Sequence, residues 1–324
     1  MEIGTLKLRS RVLAAPMAGV IDLPMRILSA SFGAGLVFTE MISAEGMVRE
    51  QKRTLRYITC HLEEMPLGVQ IFGKNPSTMA RAAKMAQDLG ASIIDINMGC
   101  PVRKITRQGA GASLLKDPDL AGSIVKEVRR AVDVPLTVKI RAGWDESGVN
   151  FIDIGRMIEE AGADAVILHP RVATEFFAGK ADWDKVGELS EALSIPVVGS
   201  GDILSYEEAL GRIEETGAKF AMIGRGAMGR PWVFSPASDP GPYEILSVIQ
   251  RHIGLIVDHY GGERAVPIIR KHVSYYIKGM RGAVDVRRRL MGMGDIDEIT
   301  SSIGEYLKEG GEIENGAKKI GTPL

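Results

Sequence analysis

Apolar residues recur in eight short runs along the first 225 residues of the chain, and segments with helical spacing separate these runs. Short apolar runs bounded by turn-forming residues are typical of buried strands, and their alternation with helices predicts a (β/α)8 barrel, also called a TIM barrel. The carboxyl ends of all eight strands would then share one rim, where such barrels carry their functional sites. The runs are Val12–Ala15, Leu36–Thr39, Gly68–Phe72, Ile93–Ile96, Leu136–Ile140, Ala165–Leu168, Pro196–Val198 and Phe220–Ile223.

The pattern changes after the eighth run, which predicts a second unit. Prolines at 236, 240 and 242 cannot continue a helix, so residues 236–242 are interpreted as a linker that follows a barrel domain over residues 1–235. From residue 243 onward the apolar positions have helical spacing, and no further strand pattern follows. The sequence therefore predicts a small C-terminal helical domain over residues 243–324.

The overall composition of the 324 residues is that of an ordinary folded protein, with 45% hydrophobic and 25% charged residues. The longest apolar stretches are much shorter than a membrane span, and the N-terminus lacks the pattern of a signal peptide. We therefore expect no membrane partner and a cytoplasmic location. Two cysteines, Cys60 and Cys100, do not suggest a disulfide framework, and no cluster of cysteine and histidine predicts a metal site.

Charge is distributed unevenly in the predicted helical domain, although the formal net charge of the chain is only −1. Between Arg264 and Arg289 there are eight lysines or arginines and a single acid, Asp285. A basic block on helices can be an ordinary solvated surface. Its mixture with Tyr275 and Tyr276 favours a surface for a phosphate backbone, because arginines pair with phosphates and release counterions.

Two glycine-rich loops follow the seventh and eighth runs. The second, Gly224–Gly229, matches the GxGxxG pattern, but no second strand with an acidic residue follows, which argues against a dinucleotide-binding fold. Barrels often bind phosphate with the loops after strands seven and eight. We therefore predict that backbone N–H groups of Gly199, Ser200 and Gly201, together with those of the second loop, bind the phosphate of a cofactor.

Polar side chains within or at the ends of three other runs indicate what this cofactor is. Gln70 lies in the third run, Lys139 in the fifth, and His169 directly follows the sixth. A single histidine of this kind more often packs in a core, and a buried lysine is costly unless a negative charge meets it. Together with a phosphate site, they describe a pocket for a phosphorylated ring with hydrogen-bonding edges. Flavin mononucleotide (FMN) fits this description, with Gln70 and Lys139 at its pyrimidine edge.

Cys100 lies just past the end of the fourth run, on the predicted rim. A lone cysteine is usually a small buried hydrophobic residue. At this position a thiol with an ordinary pKa of about 8.5 is mostly protonated at neutral pH and can act as a general acid. Metal binding is disfavoured because no second soft ligand lies nearby in the sequence. Cys60 precedes the third run and is assigned no role.

The same segments resemble one family, the flavin-dependent tRNA-dihydrouridine synthases, over roughly residues 10–290. The most specific match is Asn97-Met98-Gly99-Cys100-Pro101, since the glycine loops are common to many flavin barrels. One position departs from the family pattern, because residue 200 is commonly asparagine in the family and is serine in this chain. Further matches lie at Ala15–Val20, Thr39–Met41, Val69–Gly73, Gly109–Leu114, Val138–Arg141, His169–Arg171, Gly179–Trp183, Gly199–Asp202 and Arg270–His272.

The resemblance implies a role for each matching site residue. Cys100 would be the catalytic residue, while Asn97 and Arg171 would lie near the target uracil. The helical domain would bind tRNA, and NADPH would be a transient reductant of bound FMN. Contacts with tRNA would come from Arg270, Lys271, Lys278 and Arg287. Contacts with FMN would come from Pro16, Met17, Gln70, Lys139 and His169, and phosphate contacts from Gly201, Asp202, Gly224 and Arg225.

The function expected on this basis is the reduction of the C5–C6 double bond of a specific uridine in tRNA. Hydride would pass from the flavin to C6, and Cys100 would give a proton to C5. One alternative is a small-molecule FMN oxidoreductase of the dihydroorotate dehydrogenase or old-yellow-enzyme kind, which leaves the basic helices unexplained. Another is an RNA-binding protein that has lost catalysis, which the retained polar residues at the strand ends disfavour.

Overall fold

The computed structural model contains the (β/α)8 barrel that the alternating pattern predicts, so this expectation is confirmed. The structure describes residues 1–51, 58, 60–237 and 239–308. Strands β1 and β2 form an antiparallel pair before the barrel, and β4 and β5 pair in succession with β6. In chain order the strands are β1 (Glu2–Ile3), β2 (Leu6–Lys7), β3 (Val12–Ala14), β4 (Val37–Phe38), β5 (Ile42–Ser43), β6 (Leu67–Phe72), β7 (Ile93–Met98), β8 (Leu136–Gly143), β9 (Ala165–Val172), β10 (Val197–Ser200) and β11 (Phe220–Ile223).

The wall of the barrel closes on itself through backbone hydrogen bonds. Its strands follow the order β3-β11-β10-β9-β8-β7-β6-β4, and each neighbouring pair is parallel. Between the first and last strands of this path, the Ala14 N–H donates to the Leu36 carbonyl, and the Gly35 N–H donates to the Val12 carbonyl, both at 2.9 Å. The carboxyl ends of all eight strands therefore share one rim, as in other barrels of this type.

Side chains alternate between two apolar layers because successive residues of a strand point to opposite faces. In β3, for example, Leu13 belongs to the cluster inside the barrel, whereas Val12 and Ala14 belong to the cluster between the strands and the outer helices. Ile3 and Leu8, from the segment before the barrel, complete the interior cluster. Both faces of the strands are buried, which explains why the runs are apolar throughout.

Helices alternate with the barrel strands, and several begin at a side-chain cap. Asp22, Asn75, Asp117 and Ser205 each accept a backbone N–H at the start of a helix, which satisfies an otherwise unpaired donor. The barrel helices are α1 (Leu23–Ser31), α2 (Ala44–Val48), α3 (Pro76–Asp88), α4 (Arg103–Thr106), α5 (Pro118–Ala131), α6 (Phe151–Glu160), α7 (Asp184–Ala192) and α8 (Tyr206–Thr216). Short 3-10 helices cover Leu62–Glu64, Gly111–Lys116, Glu146–Gly148, Ala173–Glu175, Arg225–Ala227 and Pro231–Phe234.

Among the described residues, four helices follow the barrel and share an apolar cluster of their own. They are α9 (Pro242–Tyr260), α10 (Gly262–Tyr276), α11 (Ala283–Gly292) and α12 (Ile296–Lys308). Trp232, at the end of the barrel segment, belongs to this cluster, and Phe32 of the barrel packs against it. The proposed division into a barrel, a linker and a helical domain stays a prediction. Ser238 of the linker and residues 309–324 of the helical domain lie outside the described residues.

Polar contacts also join the helices to the barrel. The Tyr260 hydroxyl donates to Asp22 Oδ2 at 3.1 Å, and Arg251 Nη1 donates to Ser31 Oγ at 3.1 Å. Burial would raise the pKa of Asp22, but the adjoining imidazole of His272, the nearby His252 and the Met25 N–H hold that pKa well below its ordinary value. In the part of the chain that the structure describes, no helix is both long enough and apolar enough to cross a membrane.

Candidate active site

A cavity of about 990 Å³ opens at the rim where the carboxyl ends of the barrel strands meet. Residues from the eight barrel strands or from the loops that follow them line it, together with Tyr275 of α10. The residues that the sequence places at the site and that line this cavity are Pro16, Met17, Gln70, Asn97, Cys100, Lys139, His169, Arg171, Ser200, Gly201, Asp202, Gly224 and Arg225. Positions more than 200 residues apart in the sequence are thus brought to one surface by the barrel.

Gly199 is the exception among the predicted cofactor-binding residues, because it does not line the cavity. A Cβ atom at this position would lie 2.2 Å from the Trp183 ring, so the missing side chain makes room for that indole. The indole Nε1 in turn donates to the Gly201 carbonyl at 3.0 Å. In this structure Gly199 is needed for packing behind the loop, and a direct contact with a cofactor stays a prediction.

The Cys100 loop is held in place by the side chain of Asn97. The Asn97 Oδ1 atom accepts the Cys100 N–H at 2.9 Å and the Gly99 N–H at 3.2 Å. Burial raises the pKa of the Cys100 thiol, while a backbone hydrogen bond from Val102 and the charge of Arg141 oppose that rise without cancelling it. The thiol is therefore protonated at neutral pH and lines the cavity as a potential proton donor.

A chain of buried hydrogen bonds fixes the amide groups beside this loop. Asn97 Nδ2 donates to Gln70 Oε1 at 2.9 Å, and Gln70 Nε2 donates to Asp95 Oδ2 at 2.6 Å. The other carboxylate oxygen of Asp95 accepts from the Thr137 hydroxyl at 2.6 Å. Because each partner is buried and satisfied, the network sets which way each amide faces.

Lys139 lies beside this network on β8, and it lines the cavity. Burial lowers the pKa of its ammonium group even though Asp95 opposes the change, and burial raises the pKa of Asp95 even though Thr137, Gln70 and Lys139 oppose that change. An additional negative charge in the cavity would therefore stabilise the charged form of Lys139.

Three arginines, Arg141, Arg171 and Arg225, make part of the cavity wall cationic, and His169 lies among them. Arg171 is almost fully buried, and all five of its N–H groups are engaged, by the carbonyls of Ala178 and Gly179, by Asp202 and by His169 Nε2. Because Arg171 can only donate, His169 Nε2 accepts, and the proton of the neutral ring lies on Nδ1. Burial and the surrounding cations hold the pKa of His169 well below its ordinary value, so the ring is neutral.

Asp202 is the counter-charge of this cationic side. It accepts from Arg171 at 2.6 Å, from Arg225 at 2.8 Å and from the Ala181 N–H at 2.8 Å. Burial would raise the pKa of Asp202, but these hydrogen bonds and the two guanidinium charges keep it below its ordinary value. The predicted cofactor contact of Asp202 would therefore involve its backbone, because its carboxylate is occupied and would repel a phosphate.

The Gly201 position favours the close approach of a ligand to the backbone. Its φ of +126° is a conformation that other residues rarely adopt, and a Cβ atom here would lie 3.0 Å from the His169 ring. With Gly224 on the neighbouring strand end and Arg225 beside it, this part of the rim offers backbone donors and one cation. Such a surface suits a phosphate group.

Arg141 and Phe177 are cavity residues that the sequence analysis did not assign to the site. Arg141 uses two of its N–H groups on the carbonyls of Gly99 and Val172, while its guanidinium group borders the cavity. Its position two residues after Lys139 on the same strand was a usable signal, because residues i and i+2 share a face. Phe177 lies over the guanidinium groups of Arg141 and Arg225, at 5.6 and 4.8 Å from its ring centre.

The four predicted tRNA-binding residues of the helices lie outside the cavity. Lys271 Nζ donates to the Gly19 carbonyl at 2.6 Å, and Arg270 Nη1 donates to the Met291 carbonyl at 2.6 Å. Both are thus engaged within the protein. Lys278 is exposed and Arg287 is half-buried.

The closed barrel and the cavity with charged side chains at its carboxyl rim together define a (β/α)8-barrel enzyme. The chain belongs to the dihydrouridine synthase family, because the family model described as "Dihydrouridine synthase (Dus)" matches residues 12–308. It is 38% identical to tRNA-dihydrouridine synthase B of Pseudomonas aeruginosa over 321 residues, covering 95% of this chain and 96% of that protein. It is 40% identical to tRNA-dihydrouridine synthase B of Pasteurella multocida over 291 residues, covering 87% and 88%.

Similarity to solved structures concerns the fold alone. Histamine dehydrogenase from Rhizobium sp. 4-9 superimposes with a TM-score of 0.56 at 16% identity, over 84% of this chain and 50% of that chain. A complex of 2-naphthoyl-CoA reductase gives a TM-score of 0.56 at 13% identity, over 72% and 50%. This chain therefore spans about half the length of each of these two structures, and the likeness supports the barrel architecture.

Proposed function

We propose that this protein is a tRNA-dihydrouridine synthase that reduces the C5–C6 double bond of a uridine in tRNA, with FMN as bound cofactor and NADPH as reductant. Membership of the dihydrouridine synthase family and relatives named tRNA-dihydrouridine synthase B support the reaction. The observation that carries the proposal for this chain is the position of the Cys100 thiol on the wall of a cavity large enough for two ring systems. We expect the reaction to take place in the cytoplasm.

The residues around the cavity fit FMN in size and in chemistry. About 990 Å³ lies at the upper end of the roughly 300–1,000 Å³ of typical small-molecule sites, which leaves room for a flavin and a base. The loops of Gly201 and Gly224 with Arg225 would hold the phosphate, and Gln70 and Lys139 would bond the polar edge of the ring. Further contacts would come from Pro16, Met17 and His169. When bound, the reduced flavin supplies the hydride that uracil C6 accepts.

Cys100 would supply the proton that completes the reduction. One hydride at C6 and one proton at C5 saturate the double bond, and the S–H bond of Cys100 breaks as the C5–H bond forms. Asn97 would hold the Cys100 thiol in the orientation needed for proton transfer, because its Oδ1 atom accepts the backbone N–H groups of Gly99 and Cys100. Arg141 donates two of its five N–H groups to backbone carbonyls, and its remaining N–H groups would bind a uracil carbonyl. Arg171 would instead hold the side chains of Asp202 and His169 in place.

The helical domain would present the tRNA to this cavity. A uridine within folded RNA is stacked and cannot reach a cavity at a barrel rim, so it must be flipped out of its stack. Tyr275 of α10 lines the cavity, so the helices adjoin the place where the base would enter. Basic residues of the same region, namely the exposed Lys278, Arg288 and Arg289 and the half-buried Arg287, would contact the phosphate backbone.

The proposal can be tested by offering the reduced protein three possible oxidants. The flavin-loaded enzyme is reduced with NADPH without oxygen and is then mixed with unmodified tRNA, orotate or a simple enone. We expect that only tRNA reoxidises the flavin rapidly, and that mass spectrometry then finds dihydrouridine in that tRNA. Rapid reoxidation by orotate or the enone, with tRNA inert, would identify a small-molecule oxidoreductase. Tight tRNA binding by a protein without flavin would identify an RNA-binding protein.

The position of the target uridine follows from a second experiment. Dihydrouridine is mapped in tRNA from cells that lack this protein and from cells in which it has been restored. We expect one position or one small set of positions to lose the modification and to regain it. An unchanged dihydrouridine map would contradict tRNA as the substrate.

A further inference from the structure

Two histidines and one aspartate meet where the helical domain packs on the barrel. Asp22 precedes α1 of the barrel, His252 lies in α9, and His272 lies in α10. Their exposed fractions are 7%, 2% and 2%, so all three side chains are buried. One potential ligand atom from each residue lies within 4.8 Å of those of the other two. These residues have no part in the proposed catalytic cavity.

Both imidazole rings present a buried nitrogen without a hydrogen bond. Among the described residues, neither His252 Nε2 nor His272 Nε2 has a hydrogen-bond partner. The closest polar contact of His272 Nε2 that is recorded is with Asp22 Oδ2, at 3.5 Å. Buried polar atoms are rarely left in this state, because each one loses its hydrogen bonds to water and gains nothing in return. Two such nitrogens beside one carboxylate form a set of donor atoms of the kind that a metal ion binds.

Neighbouring hydroxyl groups orient these side chains in the way that the outer partners of a metal site do. His252 Nδ1 lies 3.0 Å from the Tyr276 hydroxyl, so a proton on Nδ1 can be donated there, which leaves the Nε2 lone pair available. Asp22 Oδ2 accepts from the Tyr260 hydroxyl at 3.1 Å, and Asp22 Oδ1 accepts the Met25 N–H at 3.2 Å. Two of the three side chains are thus held by a second group.

We propose that Asp22, His252 and His272 bind one divalent transition-metal ion, with zinc as the expected metal, and that this ion fastens the helical domain to the barrel. Two imidazole nitrogens and one carboxylate oxygen are ligands that zinc accepts, whereas magnesium and calcium prefer oxygen alone. Bonds of roughly 2.0–2.2 Å place tetrahedral ligands about 3.4 Å apart. The separation of 3.5 Å between Asp22 Oδ2 and His272 Nε2 already matches that spacing. A water molecule would complete the coordination.

The position of the site gives the ion a structural role. Asp22 follows directly on the loop in which Ala18 and Val20 line the cavity, and Lys271, next to His272, donates to the Gly19 carbonyl of that loop. A metal bound at this junction would therefore fix the helical domain relative to the loop after β3, which contains the predicted FMN contacts Pro16 and Met17. Because this proposal concerns the domain junction, it does not depend on the reaction proposed above.

The test measures metal directly on the full-length protein, purified without a histidine tag. The protein is treated with a chelator, dialysed against Zn²⁺ and then against metal-free buffer, and its zinc content is determined by mass spectrometry. We expect about one zinc per chain in the wild type and in His61→Gln, which alters an exposed histidine that is not one of the three proposed ligands. His252→Gln and His272→Gln should lose it. Co²⁺ should give the visible absorption of a tetrahedral site in the wild type.

If the junction variants fail to fold, measurements on the wild type alone test whether it binds zinc at this cluster. X-ray absorption at the zinc edge should then show a shell of nitrogen and oxygen ligands that includes two imidazoles, and added chelator should lower the thermal unfolding temperature. Wild-type protein that retains no zinc, shows no tetrahedral Co²⁺ spectrum and unfolds at the same temperature with and without chelator would overturn the proposal. A buried water molecule would then be the partner of the two nitrogens.

Discussion

Replacing Cys100 by alanine tests the chemical core of the proposed reaction. The backbone N–H of residue 100 remains, so the hydrogen bond to Asn97 that shapes the loop is kept while the proton donor is lost. General acid catalysis contributes roughly 10²–10⁴-fold to a rate, which corresponds to about 3–5 kcal/mol of activation free energy. We therefore expect flavin content and flavin reduction by NADPH to be unchanged, and reoxidation by tRNA to slow by about 10²–10⁴-fold.

The assay separates the two half-reactions by rapid mixing and follows the flavin absorbance in each. Cys60→Ala is the matched control, because the Cys60 thiol is also partly buried but bonds to the Leu89 carbonyl, away from the cavity. This control should keep both wild-type rates. If Cys100→Ala reoxidised with tRNA as fast as the wild type, another group would be the acid and our reading of the rim would be wrong.

The pH dependence of the same half-reaction supplies an independent check on Cys100. A thiol acts as an acid only in its protonated form, and burial raises the pKa of this thiol above the ordinary value. The rate of reoxidation by tRNA should therefore be level through the neutral range and fall only above that raised pKa. A rate that already declined as the pH rose through neutrality would show that a group of lower pKa supplies the proton.

Two further predictions concern binding and stability. Reversing Arg287, Arg288 and Arg289 to glutamate should weaken tRNA binding at fixed low salt and reduce the dependence of affinity on salt, with flavin content unchanged, because phosphate contacts are lost; equal affinity in a filter-binding assay would place the RNA surface elsewhere. Glu64→Gln should remove the negative charge from the buried ion pair of Glu64 with Arg26 and lower the free energy of unfolding by about 3–5 kcal/mol in a denaturant titration. A loss smaller than about 1 kcal/mol, typical of an exposed pair, would refute that reasoning.

The barrel and much of its rim could be predicted because local sequence and topology are tightly linked there. Short apolar runs locate the strands, and parallel strands in a closed barrel bring every residue at a carboxyl end to the same rim. Lys139 and His169 could therefore be placed beside Cys100 without any knowledge of distances. Arg141 could have been found in the same way, since strand alternation puts it on the same face as Lys139.

The bonding state of each side chain could not be predicted from the same pattern. Arg171 lies at the expected place, but the carbonyls of Ala178 and Gly179 and the Asp202 carboxylate occupy its donors. Gly199 belongs to a glycine-rich loop, but the indole of Trp183 explains its missing side chain. In both cases the residue that determines the contact comes from another segment of the chain. A single sequence does not indicate which segment will pack at a given position.

The contact between the barrel and the helices depends entirely on such distant neighbours. Gly229 ends the GxGxxG pattern that the sequence analysis assigned to phosphate binding, but a Cβ atom there would lie 2.3 Å from the Tyr275 backbone of α10. The same short loop thus contributes Gly224 to the cavity and Gly229 to the junction. The Asp22–His252–His272 cluster is a stronger case, because about 230 residues of sequence separate its first two members. This junction joins the loop after β3, which lines the cavity, to the helices proposed to bind tRNA. A substitution at the junction should therefore reduce the binding of the target base more than it reduces the rate of proton transfer from Cys100.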